Sequence, residues 1–478
     1  MSNGSTPSFA FAPSALLEVI CAAAVGAAGG RIAAATGQLP VGHLAAMGTV
    51  FGAGFALAAR GRATSPGSGL IWGLGTGYLI WMVLPAFSST GIGSHSLLDG
   101  TYSDARLRFP QLMASTVLLG APVGTFVGVW GIFTSREASP FRVSKALFAG
   151  GSAGIFAALI FSRWMYLGDF YPLIAGLSLH ATHFESVALH FAVACAIGVT
   201  FGALFQSDLR NLGSALGWGM AYSMFWWLLG GMTLFPILSG GRVDWSMSRA
   251  GEQFGPLVGH ILFGLVLGFV YTVVTALWTR LFVDADPLNR KREGPGVRIL
   301  TSIAWGAAAG VAGGLVTLPL LIRTGALGNL AGLDSALGTP VGIILHLAVS
   351  TLIGASYGIL FRGETSNPVF GSLWGLLFGL IWWYAGPLTL LPLLRTGVCD
   401  WTAEAAATLV PALVGHLAFG LIVANVFMAF ERKYTRLLMS NPRYAAMEAR
   451  QKRPLRTPAP ALCVFVLGIG ILVPILLA

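Results

Sequence analysis

The sequence predicts an all-α, polytopic integral membrane protein, with about 13 transmembrane helices arranged as three parallel four-helix repeats plus one C-terminal helix. Three observations carry this. The 478 residues are 55% hydrophobic and only 10% charged, whereas soluble domains are about one quarter charged. Apolar runs of roughly 20 residues, enough to cross a hydrocarbon core of ~30 Å, recur from end to end with short polar interruptions. The segments LHFAVACAIGVTFGALF and LHLAVSTLIGASYGILF stand 156 residues apart, and that offset holds without a gap for more than seventy positions.

Taken in order, spans are expected near 13–36, 39–60, 67–90, 110–133, 145–165, 183–206, 213–238, 256–282, 298–323, 339–361, 369–394, 405–430 and 460–478. The opening MSNGSTPSFAFAP has no Lys or Arg before the first apolar stretch, which itself holds Glu18 and Arg31. That is unlike a cleaved secretory signal, so the first span is expected to remain in the mature protein. Cytoplasmic loops are enriched in Lys and Arg. Most of the 28 basic residues follow even-numbered spans, among them Arg60, Arg62, Arg136, Arg142, Lys145, Arg210, Arg280, Arg290, Lys291, Arg292, Arg298, Arg362 and the cluster from Arg432 to Arg456. A cytoplasmic N-terminus in a bacterial inner (plasma) membrane is the reading, with the net charge of +10 meeting anionic lipid headgroups. No soluble basic domain with interleaved aromatics supports nucleic-acid binding.

The offset of 156 residues matches His190 with His346, Trp226 and Trp227 with Trp382 and Trp383, Pro236 with Pro392, Asp244 and Trp245 with Asp400 and Trp401, and His260 with His416. Rare residues agreeing at one spacing predict a duplicated four-span unit. A third, more worn copy opens the chain: VGHLAAMGTVFGAGFALAARG places His43 where the others have His190 and His346, and Trp72, Trp81 and Pro85 follow. Ala114 or Ser115 stands where the second histidine is due, and no Asp-Trp pair precedes it. The organisation is therefore 1–140 (degenerate repeat 1), 141–293 (repeat 2), 294–440 (repeat 3), a basic cytoplasmic linker at 441–459 and a last helix at 460–478. An even number of spans gives parallel repeats, unlike the inverted ones of many transporters. GxxxG spacings (Gly198 and Gly202, Gly264 and Gly268, Gly354 and Gly358, Gly371, Gly375 and Gly379) are read as close-packing faces.

Ionisable side chains in hydrocarbon are costly and tend to face a bundle interior or a wet cavity. The charge rule puts both histidines of one unit at similar depth in the outer leaflet, roughly 6–10 Å in at 1.5 Å per residue. The loops SGGRVDWSMSRAGEQF and RTGVCDWTAEAAATLV bring Arg and Asp-Trp to the same side. They are expected to place Trp245 and Trp401 at the interface and to pair Asp244 and Asp400 with a histidine, or with Arg242 and Arg395. A neighbouring carboxylate favours charged imidazole, which then titrates near physiological pH.

Three readings of this set stay open. Each imidazole donates to a neighbouring helix carbonyl and fixes bundle register. Alternatively, His190, Asp244, His260, His346, Asp400 and His416 form protonatable or ion-binding sites, supported by His43, Trp245, Trp401, Arg242 and Arg395. The third is ligation of a b-type haem between two facing histidines; otherwise no cofactor is expected, and any metal is unassigned. His180, His183 and Glu185 in SLHATHFES, and His95 in GIGSHSLLDG, read as solvated polar residues, and Arg163 and Arg323 as snorkelling ends of first spans. The four cysteines, Cys21, Cys195, Cys399 and Cys463, are scattered singly, so neither a disulfide framework nor a CxxC metal site is expected. P-loop, GxSxG, HExxH and Rossmann signatures are missing, and no enzyme activity is expected. The function classes left are a transport- or proton-related membrane protein and an accessory subunit that packs against partner membrane subunits or further copies of itself.

One unit reads H-x(7)-G-x(3)-G, a glycine-rich span ending in LFP or LLP, Asp-Trp, then Gly-His opening a last span with basic residues behind it. This pattern resembles the YagU-like family of small bacterial inner-membrane proteins. It rests on His190, Gly198, Pro236, Asp244, Trp245, Gly259 and His260, and on His346, Gly354, Pro392, Asp400, Trp401, Gly415 and His416. The resemblance covers roughly 80 residues in each of two units. It implies a role in survival at acid pH, which a protonatable external site would serve. Triplication and a thirteenth span depart from that family's single-unit size.

Overall fold

A computed structural model describes residues 13–37, 39, 43–60, 62–88, 108–134, 143–167, 183–209, 211–282, 295–324, 327, 338–364, 367–440, 442, 445 and 457–476. His95, His180 and most of the 441–459 linker lie outside them. Among the described residues every regular element is helical, and eleven helices are long and apolar enough to cross a membrane. The chain is thus an all-α polytopic membrane protein. It divides into two compact units, 1–140 with 241–246, and 141–240 with 247–478.

The first unit holds α1 (Pro13–Ala35), α2 (Leu44–Ala58), α3 (Pro66–Ser88) and α4 (109–134). At 15 residues α2 falls short of a full crossing, and α3, with its Gly-, Ser- and Trp-rich start PGSGLIWGLGTG, is not among the eleven. Both follow runs the sequence reads as spans. Backbones touch where glycines face each other: Gly26 meets the Gly48 carbonyl, and Gly73 meets Gly120. Between these seams Ala22, Phe51, Phe55, Ala56, Val123 and Val127 form a buried apolar core.

The second unit holds two quartets and a last helix. The middle quartet is α5 (143–167), α6 (His183–Phe205), α7 (212–238) and, after the short α8 (Met247–Glu252), α9 (Phe254–Phe282). The third is α10 (Pro295–Arg323), α11 (Gly338–Leu360), α12 (368–396) and, after the short α13 (Ala403–Thr408), α14 (Val410–Met439); α15 (Ala459–Leu476) follows. In all three quartets the first helix packs on the second and fourth, and the third packs on the fourth. Glycine makes both seams possible. Gly198 lies on Gly150 and Gly154, and Gly354 on Gly306 and Gly310; Gly219 lies on Gly264, and Gly375 on Gly420. The GxxxG faces are therefore backbone contact surfaces, where small residues permit close van der Waals approach.

Helices α7 and α12 start alike and break alike. Asn211 and Asn367 cap them, each side-chain oxygen accepting a backbone N–H three residues on, at 2.8 and 2.9 Å. Each then widens into a π-turn, Trp227–Leu234 and Gly386–Leu390, where Thr233 and Thr389 donate to carbonyls five residues back. Insertions of this kind recur at functional sites. Gly397, with φ +73°, ends α12 in the left-handed conformation glycine adopts without strain. The last helix, α15, packs on both α7 and α12, its Gly468 facing Met224 and Leu380, which stand 156 residues apart.

Candidate functional site

Within the second unit the histidines come together in twos. In the middle quartet, His190 on α6 hydrogen-bonds the Ala158 carbonyl of α5. His260 on α9 bonds the Pro256 carbonyl of its own helix through Nδ1 at 2.8 Å. The phenyl ring of Phe161, on α5, stands against both imidazoles. Its centroid is 5.8 Å from His190, nearly stacked at 28°, and 6.1 Å from His260, edge-on at 68°. Phe263 closes the cluster at 6.1 Å.

The third quartet repeats this arrangement with one difference. His346 on α11 bonds the Gly314 carbonyl of α10 through Nε2 at 3.0 Å, and Gly314 stands 156 residues beyond Ala158. His416 on α14 bonds the Ala412 carbonyl through Nδ1 at 2.8 Å. Where Phe161 is expected by the same offset stands Thr317. Its hydroxyl bonds its own helix at Gly313 and Gly314 and lies 3.4 Å from His346 Nε2. Nε2 of His416 faces Gly386, at the start of the π-turn, 3.9 Å from where a Cβ would stand.

These contacts fix the tautomers. A carbonyl only accepts, so the ring nitrogen facing it carries hydrogen. In neutral rings the lone pair is then on Nε2 of His260 and His416, and on Nδ1 of His346. The two rings of each pair lie within electrostatic range of one another.

The remaining residues singled out by sequence sit elsewhere. Asp400, expected beside a histidine or an arginine, accepts the Thr402 N–H at 3.1 Å and its hydroxyl at 2.8 Å, within its own turn. Asp244 accepts the Ser246 N–H at 3.0 Å, within its own turn and in the segment grouped with the first unit. Both carboxylates are exposed, as are Arg242 and Arg395. Local donors two residues away capture each Asp at almost no ordering cost, which a distant imidazole does not match. Trp245, expected at the interface, is fully buried; Trp401 is half-buried. In the first unit His43 is exposed at the start of α2, and Ala114 and Ser115 lie buried in α4. Among the described residues no group of three or more His, Cys, Asp or Glu is placed to hold a metal ion.

Comparison with protein-family models, curated proteins and solved structures finds no match.

Two features had no place in the sequence reading. At the far end of α11 and α14 from their histidines, Asn211 donates to buried Glu364, and the Gly363 N–H donates to Glu431 Oε1 at 2.9 Å. Asn211 caps α7, so Glu364 ties the middle quartet to the third. An acidic residue inside a basic loop was the available signal. The second feature is a shared indole bond: Trp81 donates to the Arg108 carbonyl at 2.8 Å, Trp227 to Gln253 at 3.0 Å and Trp383 to Leu409 at 3.0 Å. Each joins the third helix of a quartet to the chain entering the fourth.

Proposed function

We propose that this chain is a transport- or proton-related membrane protein whose working groups are the paired histidines of the second unit. The observation that supports it is the geometry of His346 with His416 and of His190 with His260. A hydrogen bond to a carbonyl orients each ring, and the mapped tautomers leave a lone pair on one nitrogen, the arrangement of a proton acceptor held ready inside apolar surroundings. The two quartets are read as copies of one duplicated unit, and 1–140 as a third, worn copy. The N-terminus is placed in the cytoplasm of a bacterial cell, the basic loops against anionic headgroups, and the histidine pairs in the outer leaflet. The likeness to YagU-like proteins and its implied link to acid survival fit this reading. Asp244 and Asp400 bond within their own turns, and no carboxylate is assigned to the proton site.

The test is proton entry into proteoliposomes, read with an entrapped pH-sensitive dye after an external acid step. His260→Gln and His416→Gln together are expected to leave folding intact and to abolish the protein-dependent signal. An unchanged signal removes the reading. It would leave the alternative that the imidazole-to-carbonyl bonds from α6 to α5 and from α11 to α10 favour: an accessory subunit whose histidines set helix register. A bis-histidine haem is tested by the visible spectrum of the purified protein, where it gives a Soret band. In the middle quartet, Phe161 occupies the space against both rings that such a haem needs.

A further inference from the structure

The turn that joins α11 to α12 is held from two sides by carboxylates. Glu364, buried within the turn, accepts an amide N–H at 2.5 Å from Asn211, the residue that caps α7 of the middle quartet. Glu431, on α14, accepts the Gly363 N–H through Oε1 at 2.9 Å. Gly363 presents that N–H from a left-handed conformation, φ +82°, which glycine adopts without strain. We infer that Glu364 and Glu431 form an acid-released clamp between the middle and third quartets. Ionised, they hold the turn to α7 and to α14; protonated, they free it.

An ionised carboxylate only accepts, and its hydrogen bonds are roughly twice as strong as neutral ones. A protonated one accepts more weakly and must place a hydrogen of its own. While ionised, buried Glu364 has little water to take the place of Asn211, so the bond holds. Tyr357 of α11 is fully buried within electrostatic range of both carboxylates, and its hydroxyl has no hydrogen-bond partner among the described residues. An unpaired buried hydroxyl costs free energy, so the closed arrangement depends on the clamp bonds. Beside the clamp Gly213 of α7 lies on the Leu360 carbonyl, so motion of the turn passes to the middle quartet. The other charged groups on the elements that meet here are Arg362 in the turn, exposed, and Arg432 on α14 and Asp208 before α7, both half-buried. Arg210, next to Asn211 in sequence, lies outside the described residues. The middle quartet lacks the device: at the offset of 156 residues Ser207 stands for Gly363, Thr275 for Glu431 and Phe201 for Tyr357, and only Asp208 keeps a carboxylate.

The test is a distance between the quartets, read on the full chain in lipid nanodiscs by pulsed electron paramagnetic resonance. Spin labels go on cysteines at two exposed positions, Leu277→Cys on α9 and Val369→Cys at the start of α12, with the four native cysteines replaced by alanine. Acidification is expected to move the mean distance to longer values and to broaden its distribution. Glu364→Gln with Glu431→Gln, which cannot titrate, is expected to give one distribution at neutral and acid pH. Asn211→Ser keeps a capping oxygen for α7 but removes the amide donor, and is expected to give the acid distribution already at neutral pH; it serves also should the glutamine variants fold poorly. An unaltered protein with the same distribution at both pH values, a response that survives in the double glutamine variant, or Asn211→Ser that stays closed at neutral pH would each overturn the inference. The readout needs no flux, so a clamp that fails in a proton-conducting protein and a clamp that works in a non-conducting one give different results.

Discussion

The seam between the third and fourth helices is built the same way in every quartet, whereas the histidine region differs in all three. The seam combines glycine-to-glycine contact with one indole bond to a carbonyl, Trp81, Trp227 and Trp383 serving alike. The histidine region runs from an exposed His43, with Ala114 or Ser115 at the sequence position of the second histidine, through a pair against Phe161, to a pair beside Thr317. The seam has no slack: backbones touch, and a buried indole N–H without its acceptor costs free energy. The histidine region tolerates change because a phenyl ring, a hydroxyl or nothing polar at all each leaves the helices packed. Packing holds the three quartets to one plan, and chemistry separates them.

The largest effect that breaks this comparison is expected at the seams. Gly420→Leu drives a side chain into the backbone of Gly375 and Gly379. Overpacking of that kind should remove at least about 3 kcal/mol of stability. Gly219→Leu, against Gly264 and Gly268, should cost as much. Melting followed by the monodisperse fraction in detergent reads both, and a tolerated leucine at either position would mean the quartets are not held by backbone contact. Next in size is Trp383→Phe, which removes the indole bond but leaves the Leu409 carbonyl its Leu413 N–H, and should cost about 1 kcal/mol. Trp227→Phe and Trp81→Phe should match it within error, and a difference among the three would show that the seam is not one design.

The all-α membrane-spanning character was legible in the sequence, because apolar runs report length directly; of the thirteen spans expected, eleven helices among the described residues are long and apolar enough to cross. That His190 and His260, and His346 and His416, lie at the same ends of their helices was legible too, since the second and fourth spans of a unit run the same way and each carries its histidine near the start. What stands against the histidines was not legible. Phe161 and Thr317 are both ordinary residues on a first helix, and which way that helix turns is set by its glycine contacts with the second. The partners of Asp244 and Asp400 were misplaced because composition shows which charges share a side of the membrane, while local hydrogen bonding decides what each one touches. The π-turns were invisible too, since Thr233 and Thr389 reveal them only once the acceptor five residues back is seen.

Smaller effects sharpen the contrast within one pair. His346 joins two helices and His416 bonds only its own, although both are half-buried. His346→Ala should therefore cost about 1 kcal/mol, the worth of an interhelical bond in a membrane, and His416→Ala less than that. Equal melting shifts for the two would argue that neither bond sets register. Asp400→Ala, which frees the Thr402 turn on an exposed loop, should cost roughly half a kcal/mol and leave proton entry unchanged. A lost signal there would return the carboxylate to the proton site.

The smallest effect, and the one that orients the comparison, concerns Cys399. Its thiol lies in the loop between α12 and α13, donates toward the Thr389 carbonyl at 3.5 Å, and burial pushes its pKa above the usual thiol value. Thiolate is the reacting form. With Cys21, Cys195 and Cys463 replaced by alanine, labelling by a membrane-impermeant maleimide should be slower than that of a free thiol at neutral pH. It should accelerate as pH rises, because the raised pKa delays the thiolate. Labelling of intact cells from outside places this loop, and with it the nearer ends of α11 and α14 that carry His346 and His416, on the extracytoplasmic side. Labelling only after lysis would put the same histidines on the cytosolic side and reverse the direction from which any proton reaches them.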